Sequence, residues 1–248
     1  ELLGYSAMMC SSIQSLFLKA LNPTLNFQVE NIAALPVHQI SIRSPHQNAN
    51  DAIALARADW DNFETSWDFR DQPLLRPGLK GATLEASWRN WEAQSTAAIR
   101  RMQELETENN RLFIAAYGLD GELQPEVPEA QITLARAEAR RDMAAFLSYA
   151  VGCMMGRYGL DHPGLILANA GDTLREFLEK VGKPMAELTF APDEDGIIPV
   201  LDGEWFEDDI VARTRDFLRA TFGEATINDN IRFMEESLGK DFRKYFQA

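Results

Sequence analysis

Apolar residues recur along most of the chain at intervals of three and four, the period of an amphipathic helix. Residues 6–21 place Met9, Ile13, Leu16, Phe17, Ala20 and Leu21 on one stripe, and Asn22-Pro23-Thr24 ends it because proline cannot extend the hydrogen-bond ladder. Leu25, Phe27 and Val29 then alternate with Asn26 and Gln28, which predicts a short strand before Ile32 to Pro36 closes the block. Residues 37–50 are polar, contain Pro45 and lack a helical period, so they read as a linker. From Asp51 onward Ile53, Leu55, Ala56, Trp60 and Phe63 restore a helical stripe, which Pro73, Pro77 and Gly78 interrupt.

The longest element is predicted from about Thr83 to Tyr117. Leu84, Trp88, Trp91, Ala98, Met102, Leu105, Leu112 and Phe113 keep the period with no Gly or Pro between them, giving a rod of about 50 Å capped by Gly118. An acidic, proline-containing connection (119–134) leads to a helix from Ala135 to about Tyr158, which Gly159 and Pro163 stop. Beyond it, Asp172 is positioned to cap a helix carrying Leu174, Phe177, Leu178 and Val181. Residues 189–203 read as a loop with a short extended piece at Ile197 to Leu201. Two further helices follow, Trp205 to Phe222 and one carrying Ile227, Ile231, Met234 and Leu238. The expected fold class is therefore mainly α: long amphipathic helices forming a spacer or bundle, with a short residual strand segment near the N-terminus.

Composition narrows this picture. Hydrophobic residues make up 46% of the 248, with fourteen phenylalanines and five tryptophans, enough for a sizeable core. The formal net charge of -14 disfavours free-standing, charge-driven binding to a phosphate backbone. Cys10 and Cys153 stand far apart, read as buried small hydrophobes and fit a reduced, cytoplasmic setting. The apolar run from Met143 to Met155 is too short to span a bilayer, so no membrane partner is expected. The chain starts at Glu1 and stops at Ala248 while a helical pattern still runs, which reads as a piece of something longer.

Candidate chemistry is sparse. Methyl transfer from S-adenosylmethionine needs a glycine-rich strand-to-helix turn and polar groups around a flipped base. No such turn is found, and Asn22-Pro23-Thr24-Leu25, which lacks a second proline and an aromatic partner, reads as a helix stop. His38 and His46 fall in a polar loop and His162 in a turn, with no metal-ligand spacing to cysteine. Asp193, Glu194 and Asp195 before Gly196 lack the ligand alternation of a calcium loop, and Glu207, Asp208 and Asp209 suit the positive end of a helix. Catalytic, cofactor-binding and metal-ligating residues are accordingly expected to be none. Trp60, Trp67, Trp88 and Trp91 could stack on bases, but their helical spacing favours core or interdomain packing. Arg89, Arg100, Arg101 and Arg111 are the candidates for DNA-backbone contact, although Glu92, Glu104, Glu106 and Glu108 between them favour a salt-laced solvent face.

Several longer words carry a resemblance. They are residues 16–29 (LFLKALNPTLNFQV) with 31–36 (NIAALP), residues 58–69 (ADWDNFETSWDF), residues 84–88 (LEASW) and residues 112–119 (LFIAAYGL). Together they resemble the adenine-specific DNA methyltransferases of the PglX kind from bacteriophage-exclusion (BREX) systems, over nearly the whole chain. The resemblance implies a parent that uses S-adenosylmethionine, acts on double-stranded DNA and takes part in phage defence. It places the catalytic words before Glu1. By this resemblance residues 1–36 end the target-recognition region, 37–50 link, 51–158 form a long-helix spacer and 159–248 a C-terminal helical subdomain. Gly152 and Gly156 match a Gly-x-x-x-Gly-Arg-Tyr word in which glycines would permit close packing. The implied partners are the methyltransferase and target-recognition domains of the parent and other defence-system proteins. The fragment itself is expected to be inactive, as a specificity-supporting module. The alternative is a protein–protein interaction module or an acidic DNA mimic, and an independent enzyme is the weakest reading.

Overall fold

A computed structural model describes residues 2–24, 26–38, 47–203 and 205–247. The chain is mainly helical: α1 (Leu2–Met9), α2 (Ser12–Leu21), α3 (Val29–Ala33), α4 (Gln47–Trp60), α5 (Leu84–Ala116), α6 (Ala139–Met154), α7 (Leu174–Val181), α8 (Ile210–Phe222), α9 (Ile227–Leu238) and α10 (Phe242–Phe246). It divides into two compact units. The first comprises Glu1–Asp59 and Thr96–Ala135, the second Trp60–Ser95 and Arg136–Ala248. Helix α5, at 33 residues, contributes to both. None of the described helices is long and apolar enough to cross a membrane.

In the first unit, α1 and α2 replace the single helix expected over residues 6–21. The break at Cys10-Ser11 is held by two asparagines of α5. Asn109 Nδ2 donates to the Ala7 carbonyl (2.9 Å), and Asn110 Oδ1 accepts from the Ser12 N–H (2.8 Å). Adjacent helix ends otherwise leave backbone donors and acceptors without partners, so these two side chains satisfy what the break exposes. Ala7, Met8, Ile13, Phe113 and Ile114 form a small core there, while Cys10 is exposed rather than buried. The proline-containing connection also packs against α5. Gln103 donates to the Val127 carbonyl (2.7 Å), Thr107 accepts from the Val127 N–H (3.3 Å) and Asn110 donates to the Pro125 carbonyl (3.0 Å). Those three positions are four and three residues apart, hence on one helix face. They let Val127, Ile132 and Leu134 bury beside Ile99 and Met102.

The expected N-terminal strand is not present: among the described residues there is no β-strand, only the isolated bridges Asp120↔Leu123 and Gly159↔His162. Leu25, the first of its apolar positions, lies outside the described residues. Phe27 and Val29 are exposed, and Val29 begins α3. Local side chains satisfy this backbone instead of a ladder. Asn22 Oδ1 accepts from Thr24 N–H (3.0 Å), Asn22 Nδ2 donates to the Asn26 carbonyl (3.0 Å) and Asn31 Oδ1 accepts from Gln28 N–H (2.9 Å). Asparagines compete for backbone groups in this way, and three alternating positions are too few to hold a strand without a neighbour. The extended piece expected at Ile197 to Leu201 is likewise no strand.

The second unit has the larger core, built from Leu84, Trp88 and Trp91 of α5, Met143, Phe146, Leu147 and Ala150 of α6, Phe217 and Leu218 of α8 and Met234 of α9. Phe146 meets Phe217 edge-on at 5.7 Å between ring centroids. Two buried polar contacts fasten these helices. Asn230 Oδ1 accepts from the Leu84 N–H at the start of α5 (2.8 Å), and Trp88 Nε1 donates to Asp142 Oδ2 (3.0 Å). The cap of α7 is Thr173, one residue later than the expected Asp172, with Thr173 N–H donating to Glu176 (2.8 Å), and the helix ends on Gly182 at φ 72°. Helix α8 begins at Ile210 rather than Trp205, because Asp209 Oδ1 accepts from the Ala212 N–H (2.8 Å) and caps it.

Candidate functional site: an apolar groove beside an acidic loop

In the second unit an open groove of about 480 Å³ runs between the end of α6, the loop at 196–200, the start of α8 and α10. Val151 and Met155 line one wall, Ile197, Ile198 and Val200 another, and Ile210 and Phe246 complete it. Sequence puts these residues up to 95 positions apart, so their meeting is a product of tertiary structure.

The loop is held in place by its own acids. Asp193 N–H donates to the Met154 carbonyl (2.7 Å), tying the loop to the end of α6. Asp193 Oδ1 accepts from the backbone N–H groups of Asp195 (3.2 Å), Gly196 (2.8 Å) and Ile197 (3.2 Å). Burial works to raise the Asp193 carboxyl, but Asp195 and these N–H donors outweigh it and hold it below the usual carboxylate range. Gly196 turns the chain at φ +72°, a conformation that side-chain-bearing residues rarely adopt. Ile210 N–H then donates to the Pro199 carbonyl (2.9 Å), anchoring the far side.

Arg243, three residues before Phe246 of the lining, ties the neighbouring segments together. Its Nη1 lies 2.8 Å from Asp209 Oδ2 and donates to the carbonyls of Leu201 (2.9 Å) and Gly203 (3.0 Å). Asp209 is 0% exposed. Burial pushes its carboxyl upward, yet the Ala212 N–H and the Arg243 guanidinium together hold it below the ordinary value. One guanidinium thus joins the cap of α8, the loop and α10. Just past the loop, Trp205 and Phe206 are exposed, Trp205 by 73%, with its Nε1 donating to Asp202 (3.2 Å).

The residues singled out in the sequence lie elsewhere. Trp88 and Trp91 are buried in the second unit's core, whereas Trp60 is 60% exposed and Trp67 fully so. A Cβ on Gly152 would stand 2.6 Å from the Tyr158 ring, so that glycine makes room for an aromatic of its own segment. Gly156 turns the chain at φ +71° against Leu167. Arg89 pairs with Glu85 (3.8 Å) and Glu92 (3.3 Å), Arg101 with Asp51 (3.4 Å) and Glu104 (3.3 Å), and Arg111 with Glu108 (2.8 Å). Arg100 is exposed.

The buried titratable groups serve packing. Burial pushes the Cys153 thiol up to about 12, far from the thiolate a nucleophile needs. Burial, reinforced by Cys153, raises the Tyr149 hydroxyl, whose ring stacks on Tyr158 at 5.2 Å. Among the described residues no group of three or more His, Cys, Asp or Glu side chains could hold a metal ion. His162 takes part in the isolated bridge with Gly159, and His46 lies outside the described residues. What the groove offers chemically is burial of apolar side chains, and one signal for it stood in the sequence: the run Ile197-Ile198-Pro199-Val200 inside an otherwise acidic loop.

No protein-family model matches the chain. Among characterised proteins it is similar to an adenine-specific methyltransferase PglX of Lacticaseibacillus casei (strain Zhang), 33% identical over 239 residues, covering 94% of this chain and 19% of the relative. It is also similar to an adenine-specific methyltransferase BrxX of Escherichia coli O9:H4 (strain HS), 32% identical over 262 residues, covering 96% of this chain and 20% of the relative. The chain thus spans about a fifth of the length of the relatives it matches, and is a distant homologue of the PglX/BrxX adenine-specific methyltransferases.

Proposed function

We propose that this chain is a non-catalytic helical module that supports sequence-specific adenine methylation of DNA by a PglX-like protein of a phage-defence system. The observation that carries the reading is homology over more than nine-tenths of the chain to only a fifth of two adenine-specific methyltransferases. In this reading S-adenosylmethionine and the reacting adenine belong to the parent's methyltransferase domain. Residues 1–36 end a target-recognition region and the helices that follow pack recognition and catalytic parts together. The use of buried and half-buried polar groups supports a holding role: Asn109, Asn110, Asp142, Asp209 and Asn230 each fasten one element to another. Trp60 and Trp67, exposed beside a well-filled core, suit contact with a neighbouring domain.

Arg89, Arg100, Arg101 and Arg111 are the DNA-backbone candidates of this module. Arg89, Arg101 and Arg111 would have to exchange a carboxylate partner for a phosphate, so Arg100 is the one to substitute first. Titration calorimetry of the chain with S-adenosylmethionine should give no binding heat, and a methyl-transfer assay on duplex DNA no product. Binding of the cofactor or methylation by this chain would overturn the reading. The separately expressed remainder of a PglX-like relative should bind the chain, and W60A/W67A should weaken that binding by about tenfold or more.

A further inference from the structure

We propose that the groove between Met155, Ile197, Val200 and Phe246 is a docking surface for a basic amphipathic helix of a partner polypeptide. The inference rests on the groove alone and not on the methyltransferase reading. Its lining (Val151, Met155, Gly196 to Ile198, Val200, Ile210 and Phe246) contains no polar side chain. A small polar ligand would find no side-chain group there to orient it, whereas apolar side chains spaced along one face of a helix would. Met155, Ile197 and Val200 are all exposed, Ile197 by 67%, so apolar surface stands ready to be covered.

Charge selects the occupant's other face. From Pro184 to Ala212 the chain has no lysine or arginine, and Glu194, Asp195, Asp202, Glu207 and Asp208 in that stretch are exposed. Of the cations within three residues of the lining in sequence, Arg243 is engaged by Asp209 and two carbonyls and Arg213 donates to the Ala191 carbonyl (2.6 Å), while Arg157 and Lys244, two residues from Met155 and Phe246, are exposed. Exposed carboxylates on the same loop that supplies Gly196, Ile197, Ile198 and Val200 to the apolar lining fit a helix with leucine-like residues at i, i+3, i+4 and i+7 and lysine or arginine elsewhere.

The test uses the full 248-residue chain and fluorescence anisotropy with three labelled peptides: a leucine/lysine amphipathic helix, its leucine/glutamate counterpart, and a scramble of the first that lacks the apolar stripe. The lysine helix should bind about tenfold or more tightly than either control. M155D/I197D, and separately E194K/E207K/D208K, should each weaken it by about tenfold or more, while E122K/E126K, exposed carboxylates of the other unit, should not. The substituted side chains are exposed or half-exposed, so circular dichroism and the thermal transition should match the parent chain. Equal binding of the scramble or the glutamate helix, or binding indifferent to M155D/I197D, would overturn the proposal. So would self-association, seen by sedimentation, that M155D/I197D abolishes in a chain that ignores the lysine helix, since the groove would then belong to a second copy.

Discussion

Replacing Arg243 with methionine removes the positive charge 2.8 Å from the fully buried Asp209 and the donors to the Leu201 and Gly203 carbonyls, while keeping much of the side chain's apolar stem. Breaking a buried ion pair by deleting one partner costs about 3–5 kcal/mol, because the remaining charge has no compensation. Asp209 caps α8, and the field at a helix N-terminus returns about 0.3–1 kcal/mol to a carboxylate there, so R243M should fall near the lower end, about 3 kcal/mol. D209N should cost less, about 1–2 kcal/mol, since the amide oxygen can still accept from Ala212 N–H and Arg243 keeps two carbonyls. The double variant D209N/R243M buries no unpaired charge, so its loss should fall short of the sum by about 2 kcal/mol. All five tryptophans belong to the second unit, so urea unfolding followed by tryptophan fluorescence reports on the unit that holds this pair. A loss below about 1 kcal/mol for R243M, or strict additivity in the double variant, would refute the assignment of Arg243 as the clamp.

Three further outcomes are expected. The folded Asp209 and Asp161 carboxyls both lie below their ordinary values: burial opposes the shift in each, and Ala212 N–H with Arg243, or Lys183 with Thr189, outweighs it. Their contribution is therefore full above the unfolded carboxylate pKa of about 3.9 and is lost as pH falls through the depressed folded values. The thermal transition of the second unit, followed by tryptophan fluorescence, should be level from about pH 7 to 5 and drop below about pH 4, and a rise on acidification in that signal would contradict this. Gly156→Ala should destabilise by about 1–3 kcal/mol through its left-handed backbone and a 2.8 Å approach to Leu167, whereas Gly78→Ala, at φ +89° with open space around it, should cost only the backbone part. Equal losses in denaturant unfolding would show that packing at Gly156 is immaterial. In native thiol labelling at pH 8, exposed Cys10 should react and buried Cys153, its thiol pushed up to about 12, should not until the chain unfolds; rapid labelling of both would count against the packing around Tyr149.

Periodicity alone located the long helix almost to the residue, from the expected Thr83–Tyr117 to the observed Leu84–Ala116, because thirty-three residues without Gly or Pro leave no competing local structure. It also identified the helices of the C-terminal half, though their starts moved to the residues whose side chains cap them, Thr173 and Asp209. The strand around Phe27 failed for the opposite reason: an alternation of three apolar residues is a statement about which side chains could share a face, and only a neighbouring strand makes it real. The break in the first helical stripe was invisible for a similar reason, since the groups that stabilise it, Asn109 and Asn110, stand about a hundred residues away.

The residues themselves therefore determined the helical class, the resemblance to adenine-specific methyltransferases and the apolar run Ile197-Ile198-Pro199-Val200, all of which are local patterns of spacing and identity. Tertiary structure alone decided that Trp88 and Trp91 are core while Trp60 and Trp67 face outward, although all four look alike in sequence. It alone brought Met155, Ile197, Ile210 and Phe246 around one groove and paired Arg243 with Asp209. Helical periodicity says which side of a rod is apolar. What covers that side depends on contacts between positions far apart in the chain, and no local pattern encodes those.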